Sequence, residues 1–158
     1  MANKFRFEHA LSALQMGAPA LRRWLALGLI GDMAKTGGGA LEFTPHDLAV
    51  LALVKAMVEY GMAVAVAHKN AVRIMREAGP WSGDVPPEAY WTAWAPDTQF
   101  VINRVVGKNG KPAWHIAKFE HAEPAFGAFL MIIPHALIRA VLERAIEATE
   151  IRAAKRSA

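Results

Sequence analysis

The chain has 158 residues, of which 54% are hydrophobic and 20% are charged, and its formal net charge is +4. This composition argues against a disordered or low-complexity chain, and the absence of cysteine excludes disulfide bonds, thiolate metal sites and thiol redox switches. No apolar run approaches the roughly 20 residues of a membrane-spanning helix and the first residues lack the apolar core of a signal peptide, so we expect a soluble globular protein in the cytoplasm.

The excess of positive charge lies in the first half of the chain. Residues 1–79 carry nine Lys and Arg against six Asp and Glu, a net charge of +3, whereas residues 80–158 carry nine against eight, a net charge of +1. A mildly basic surface permits binding to a polyanion without requiring it. The charge distribution therefore predicts that a polyanion-binding site would lie in the first half of the chain.

The first predicted helix covers residues 8–15, with Leu11 and Leu14 three positions apart on one side. Gly17 is suited to the turn that follows this helix. Pro19 fits the first turn of a second helix, because the N–H group that proline lacks would be unpaired at a helix start. Two short helices joined by a tight turn predict a helix-turn-helix unit.

The second helix has one buried and one exposed side. Leu21 and Trp24 are three residues apart, so both can pack inward. Arg22 and Arg23 are then left to point outward, and Gly28 ends the helix. Two adjacent arginines on a short exposed helix are suited to a DNA groove, although an ordinary solvated helix face is the alternative interpretation.

A glycine-rich segment follows the second helix. Residues 31–41 contain the triplet Gly37 to Gly39 between two short extended pieces. Glycine tolerates backbone conformations that other residues avoid, so the segment predicts a β-hairpin wing with a flexible tip. Lys35 and Thr36 would lie on this wing.

The next helix has a strong start signal. Thr44 is placed as the N-cap, Pro45 as the first helical residue and Asp47 as the partner in a capping box, so we expect a helix to about Tyr60. Its apolar residues form two stripes, which predicts burial on two sides. A further helix is predicted over residues 64–78, with a solvated basic side formed by Lys69, Arg73 and Arg76.

Beyond a predicted linker, residues 79–89, the pattern changes to β. We expect strands over Tyr90 to Ala95, Gln99 to Val106 and Ala113 to Phe119, with Asn109 and Gly110 as the two central residues of a hairpin turn. In that register Phe100 faces Phe119 and Arg104 faces His115, and one face of the sheet contains Phe100, Ile102, Val106 and Phe119. A last helix over about residues 135–152 can cover the sheet or pair with a second subunit.

Four features follow one another along the first half of the chain. They are residues 21–30 (LRRWLALGLI), the glycine-bearing wing, Phe43, and a long apolar helix that opens at residues 44–48 (TPHDL). In this order and spacing, residues 5–78 resemble the DNA-binding domain of the MerR family. The resemblance implies an N-terminal winged helix-turn-helix domain over residues 5–78. Together with the linker and the β-hairpin and helix lobe that the residue pattern predicts over residues 90–153, this gives an α+β protein.

The resemblance also implies which side chains contact DNA. Arg22 falls where the family places a DNA-contacting arginine, Trp24 matches an aromatic position, and Arg23 replaces a common tyrosine. Residues 40–42 (ALE) replace the Tyr-Arg that many members have after the wing glycine, which leaves Lys35 as the main cation of the wing. The candidate DNA-binding residues are Pro19, Arg22, Arg23, Trp24, Lys35 and Thr36.

The implied function is a sequence-specific DNA-binding transcription regulator that reads double-stranded DNA as a homodimer. The family's usual partner to this domain is a long antiparallel dimerisation helix, whereas here a β-hairpin comes first and the long helix last. The second lobe would serve assembly or the sensing of a small-molecule or protein effector. Its tryptophans and phenylalanines can line such a pocket or form a small core.

Two other functions remain open. The same fold can serve a phage-type DNA-packaging or recombination accessory protein, or a protein-interaction or ligand-binding module that has lost DNA binding. No Ser-His-Asp arrangement, phosphate-binding glycine loop or paired carboxylate has a convincing context, so we expect no enzymatic activity and no cofactor. The six histidines show no clear metal-ligand spacing, which predicts no metal site.

Overall fold

The computed structural model of the protein describes residues 4–29, 40–79, 85–121 and 129–157. Six helices and five strands in these ranges confirm the predicted α+β class. In chain order they are β1 (Phe5–Arg6), α1 (Phe7–Leu14), α2 (Ala18–Ala26), β2 (Glu42–Phe43), α3 (Pro45–Glu59), α4 (Val64–Ala78), α5 (Pro87–Thr92), β3 (Phe100–Val106), β4 (Pro112–Lys118), β5 (Phe129–Ile132) and α6 (Pro134–Ser157).

The two predicted N-terminal helices are confirmed as α1 and α2. Gln15 ends α1 in the left-handed conformation, with a φ of 51°, and Pro19 lies in the first turn of α2. On α2, Leu21 and Trp24 are buried as expected. Gly28, with a φ of 69°, follows the end of α2. The backbone turns at the two positions where the sequence predicted helix ends.

The predicted capping box of α3 is also confirmed. The backbone N–H of Asp47 donates to the Thr44 hydroxyl oxygen at 3.2 Å, and the Asp47 carboxylate accepts from the backbone N–H of Thr44 at 2.8 Å. Nine of the fifteen residues of this helix are buried, in agreement with the two predicted apolar stripes. The buried residues include Leu48, Ala49, Val50, Leu51, Ala52, Leu53, Val54 and Met57.

Helix α3 is the centre of the fold. It packs against α1, α4, α5 and α6. Strands β1 and β2 form a two-stranded antiparallel sheet beside α1, with Phe5 opposite Phe43. The long last helix therefore covers helices of the N-terminal half, and its observed range, Pro134–Ser157, extends beyond the predicted residues 135–152.

The expected strand over Tyr90 to Ala95 is wrong, because helix α5 occupies the first half of this segment and a turn follows it. Pro87 lies in its first turn, where proline is favoured. Tyr90 in α5 and Trp94 in the turn after it are both buried, so the aromatic residues that suggested a strand instead pack into the core from a helix and its following turn. The predicted linker overlaps the start of α5, and the proposed division into domains stays a prediction.

The predicted hairpin exists, but its register is displaced by one residue. Phe100 pairs with Lys118 instead of Phe119, and Arg104 pairs with Trp114 instead of His115. The reason is a longer turn: five residues, Gly107 to Lys111, connect the two strands where the prediction placed two. The N–H of Gly107 donates to the Lys111 carbonyl oxygen at 2.8 Å across this turn.

The change of register also alters the exposed residues. Phe100 and Ile102 are buried as predicted, whereas Val106 is 79% and Phe119 is 55% exposed, so the predicted face is wrong at its ends. A strand that the sequence did not predict, β5, pairs antiparallel with β3. The strand order of this sheet is β4-β3-β5.

Candidate nucleic-acid interface

The exposed side of α2 carries the two candidate arginines. Arg22 and Arg23 are both exposed, and Pro19 is exposed one turn earlier. Leu21 is fully buried on the opposite side and Trp24 is only 7% exposed, so these two side chains hold the helix against the core. The burial explains why the arginines project outward from a fixed helix.

The guanidinium of Arg22 has one specific neighbour. Its central carbon lies 5.4 Å from the ring centroid of Phe7, the first residue of α1. Phe7 is half-buried and its ring lies 6.4 Å from that of Phe43, which is fully buried. Arg22 is thus held in a cation–π contact with a ring that is itself packed against the core.

The charges on Arg22 and Arg23 are not neutralised within the described part of the chain. Neither side chain forms a hydrogen bond or an ion pair with a described residue. Glu8, the acidic residue of the first turn of α1, is paired with Arg152 of α6 instead. As far as the described residues go, the guanidinium N–H groups are therefore available to an anionic partner.

The other candidate residues have different positions. Trp24 is a packing residue, and it would support a DNA contact by fixing α2 instead of touching the nucleic acid. Lys35 and Thr36 lie outside the described residues, as does most of the predicted wing. Leu27, at the end of α2, is 59% exposed, an apolar group beside the two arginines along the chain.

A second basic side lies on α4. Lys69, Arg73 and Arg76 are all exposed there, in agreement with the predicted solvated face. Arg73 donates through Nε to Glu77 at 2.7 Å, an exposed ion pair one turn along the helix. Such pairs contribute about 0.3–0.5 kcal/mol, so this contact stabilises α4 only slightly.

Helix α6 contacts the helix-turn-helix unit through α1. Nε of Arg144 donates to the carbonyl oxygen of Ala13 at 2.8 Å, and the Thr149 hydroxyl lies 3.3 Å from Nδ1 of His9. Burial lowers the pKa of His9, and the positive charges of Arg6 and Arg156 lower it further. A neutral His9 is thus part of the contact between α1 and α6.

The aromatic residues of the second half, which could line a pocket or form a small core, have separate surroundings where the structure describes them. Trp94 and Phe100 are buried, Trp114 packs against Tyr60 with ring centroids 5.7 Å apart, and Phe119 is largely exposed. These positions favour the alternative interpretation of these aromatics, a packed core. Trp81 lies outside the described residues.

A shallow cleft of about 330 Å³ lies at the start of β3 and the end of β4. Its walls are mixed polar and apolar, unlike the apolar and aromatic effector pocket that the sequence suggested. They are formed by Ala95, Asp97, Thr98, Gln99, Lys118, Phe119 and Glu120.

The sequence analysis missed Phe7 as a member of the site. Its only local signal is an aromatic residue directly before an acidic residue at a helix start, which does not indicate a binding site. What makes it relevant is its contact with Arg22, fifteen positions away along the chain. No short-range pattern reports such a contact.

The exposed arginines, the tight turn and the following capped helix define the class of this domain: a helix-turn-helix with a basic second helix. Comparison with known families agrees, because residues 6–71 match a family described as MerR HTH family regulatory protein. The match confirms that residues 6–71 resemble a MerR-type helix-turn-helix domain.

The family match supports a DNA-binding transcription regulator of the MerR type. No sequence among the curated proteins matches the chain. Among the residues that the structure describes, no helix is both long enough and apolar enough to cross a membrane.

Proposed function

We propose that the protein binds specific sequences in double-stranded DNA as a homodimer and regulates transcription, with Arg22 and Arg23 as its principal contacts. The observation that carries this proposal is the pair of exposed guanidinium groups on α2, unpaired within the described residues, in a domain that matches the MerR family. Leu21 and Trp24 support it, because their burial fixes the orientation of the helix.

The chemistry of arginine suits both kinds of DNA contact. Its planar guanidinium can donate two hydrogen bonds to O6 and N7 of guanine, or to two phosphate oxygens. Phosphate contacts supply much of the affinity and make it dependent on salt, whereas base contacts supply specificity. Two arginines per subunit are few, so a dimer that reads two half-sites would double the number of contacts.

The second half of the chain would serve assembly or sensing. Helix α6 packs on α1 and α3, and α5 packs on α3, so a partner or effector bound in this half would act close to the DNA-binding unit. Lys35 and Thr36 of the wing would add phosphate contacts, and Pro19 would help to position the first turn of α2.

The test is a competitive pull-down of genomic DNA fragments by the purified protein at about 50 and 200 mM salt, followed by sequencing. Wild-type protein is compared with Arg22→Ala plus Arg23→Ala. The matched control is Lys108→Ala plus Lys111→Ala, which removes the same charge from the exposed turn between β3 and β4.

Specific binding predicts a few enriched fragments for the wild type and the control, and their loss in the arginine variant. Two half-sites about one helical turn apart would support the dimer. If both variants lost DNA binding equally, the binding would depend on total positive charge and not on Arg22 and Arg23. No enrichment would contradict DNA recognition and favour the protein-interaction or ligand-binding module, and ring-like oligomers would favour the DNA-packaging alternative.

A further inference from the structure

We propose that Phe7 is a positioning residue for DNA recognition: its ring holds the Arg22 guanidinium in place for contact with the nucleic acid. This inference rests on the proposed function and deepens it, because it distinguishes the roles of two adjacent arginines. The observation is the contact of 5.4 Å between the Arg22 guanidinium carbon and the Phe7 ring centroid.

The ring of Phe7 is well supported. Phe7 is the first residue of α1 and directly follows β1, which is paired with β2. Its ring contacts Phe43 of β2, and Phe43 is fully buried. The orientation of the Phe7 ring is therefore set by the same strand pairing that joins the two ends of the helix-turn-helix segment.

Arg23 has no equivalent support among the described residues. Its side chain is exposed, with no hydrogen bond, ion pair or ring contact to a described residue. An arginine side chain loses considerable rotamer entropy when it is fixed by a ligand. Because Arg22 is restrained before binding, it loses less of this entropy than Arg23 on contact with DNA.

A cation–π contact also leaves the arginine chemically competent. It arises from attraction between the positive charge and the ring quadrupole, so it uses none of the five N–H donors of the guanidinium. A carboxylate at this position would instead occupy those donors and cancel the charge. Phe7 thus restrains Arg22 without competing with phosphate or guanine.

The experiment measures DNA affinity for four proteins: wild type, Phe7→Leu, Arg22→Ala and the double variant. The DNA is the fragment most enriched in the pull-down. Leucine keeps an apolar contact with Phe43 and removes the ring. Phe7→Tyr, which keeps an aromatic ring, is the matched control.

We expect Phe7→Leu to weaken binding about two- to fivefold, in line with an exposed cation–π contact, and Phe7→Tyr to restore wild-type affinity. In the Arg22→Ala background, Phe7→Leu should have no further effect, because Phe7 acts through Arg22. A purely structural role for Phe7 would weaken binding equally in both backgrounds, and thermal unfolding of each variant checks that it is folded.

An independent measurement is the NMR spectrum of the arginine side chains without DNA. The Arg22 signals should be displaced by the ring in the wild type and in Phe7→Tyr, and return towards the Arg23 signals in Phe7→Leu. Wild-type affinity of Phe7→Leu, or additive effects in the double variant, would overturn the role of Phe7 while DNA binding stands. Failure of the wild type to bind any fragment would instead overturn the proposed function together with this role.

Discussion

The phenolic oxygen of Tyr90 lies 3.1 Å from Nδ1 of His46, so a hydrogen bond joins α5 to the first turn of α3. The two rings meet edge to face, with 6.2 Å between their centroids. Burial raises the pKa of Tyr90 and lowers that of His46, so at neutral pH the phenol is protonated and the imidazole is neutral. This contact attaches the second half of the chain to the helix that follows the helix-turn-helix unit.

Replacement of Tyr90 by phenylalanine tests this attachment. The change removes the hydroxyl and keeps the ring, so we expect the free energy of unfolding to fall by about 1 kcal/mol. Urea denaturation measures the difference. Tyr60→Phe is the control, because the Tyr60 hydroxyl has no hydrogen bond to a described residue, and an equal loss in both variants would contradict a specific role for the Tyr90 contact.

His9 is buried, His46 is half-buried, and both have a lowered pKa. We therefore expect the free energy of unfolding to fall in mild acid. His9 and His46 bind protons less readily in the folded protein than at the usual unfolded value near 6.5. The stabilisation that these two neutral histidines provide is therefore present above pH 6.5. It is lost as the pH falls from 6.5 towards their pKa values in the folded protein, because the unfolded chain binds more protons in that range.

Thermal or urea denaturation at several pH values between 5 and 8 measures this dependence. In the variant His9→Gln plus His46→Gln, the slope of unfolding free energy against pH should become smaller over this range. An unchanged slope would assign the pH dependence to other groups.

Removal of the α3 cap should destabilise the protein measurably. Thr44→Ala deletes the oxygen that accepts from the Asp47 N–H and the group that donates to its carboxylate. N-cap substitutions of this kind cost about 0.5–2 kcal/mol. Urea denaturation is the measurement and Ser12→Ala, at an exposed position inside α1, is the control, which should change stability by less than about 0.5 kcal/mol.

Gly79 is predicted to tolerate no side chain. A Cβ at this position would lie 2.6 Å from the Met75 carbonyl oxygen and 3.0 Å from the Trp94 ring. Gly79→Ala should therefore destabilise the protein by about 1–3 kcal/mol, as overpacking does in other cores. At Gly17 the nearest atom to an added Cβ is 3.8 Å away, in Pro19, so Gly17→Ala is the matched control.

Equal stability of the two glycine variants would show that Trp94 does not lie against the end of α4. A specific loss in Gly79→Ala would confirm the close approach of the segment after α5 to that helix. Thermal unfolding is sufficient for the comparison, because both substitutions add one methyl group.

The sequence by itself determined the helices with strong local signals. The capping box of Thr44 and Asp47 predicted the start of α3, and the helix-breaking Gly61 and Gly79 predicted α4 over residues 64–78, its observed range. The outward direction of Arg22 and Arg23 followed from the inward packing of Leu21 and Trp24. These features depend on residues within one or two helical turns, so they can be deduced from neighbouring positions.

Only the tertiary structure decided the features that depend on distant partners. The aromatic segment around Tyr90 suits a strand or a helix, and in the structure Tyr90 is buried in the core from helix α5. The hairpin register depends on which residues close the turn, and one residue of difference transfers Phe119 from the core to the surface. Likewise α6 covers α1 and α3, where its amphipathic pattern allowed a sheet or a second subunit.

The contact between Phe7 and Arg22 also combines a feature that the sequence predicts with one that depends on tertiary packing. The sequence placed an arginine on the exposed side of α2, but the ring beside it comes from α1, and the distance between them depends on the angle of the turn and on the pairing of β1 with β2. Side-chain contacts between separate elements are set by how the whole chain packs. Local propensity therefore identified the cation, and packing decided what holds it in place.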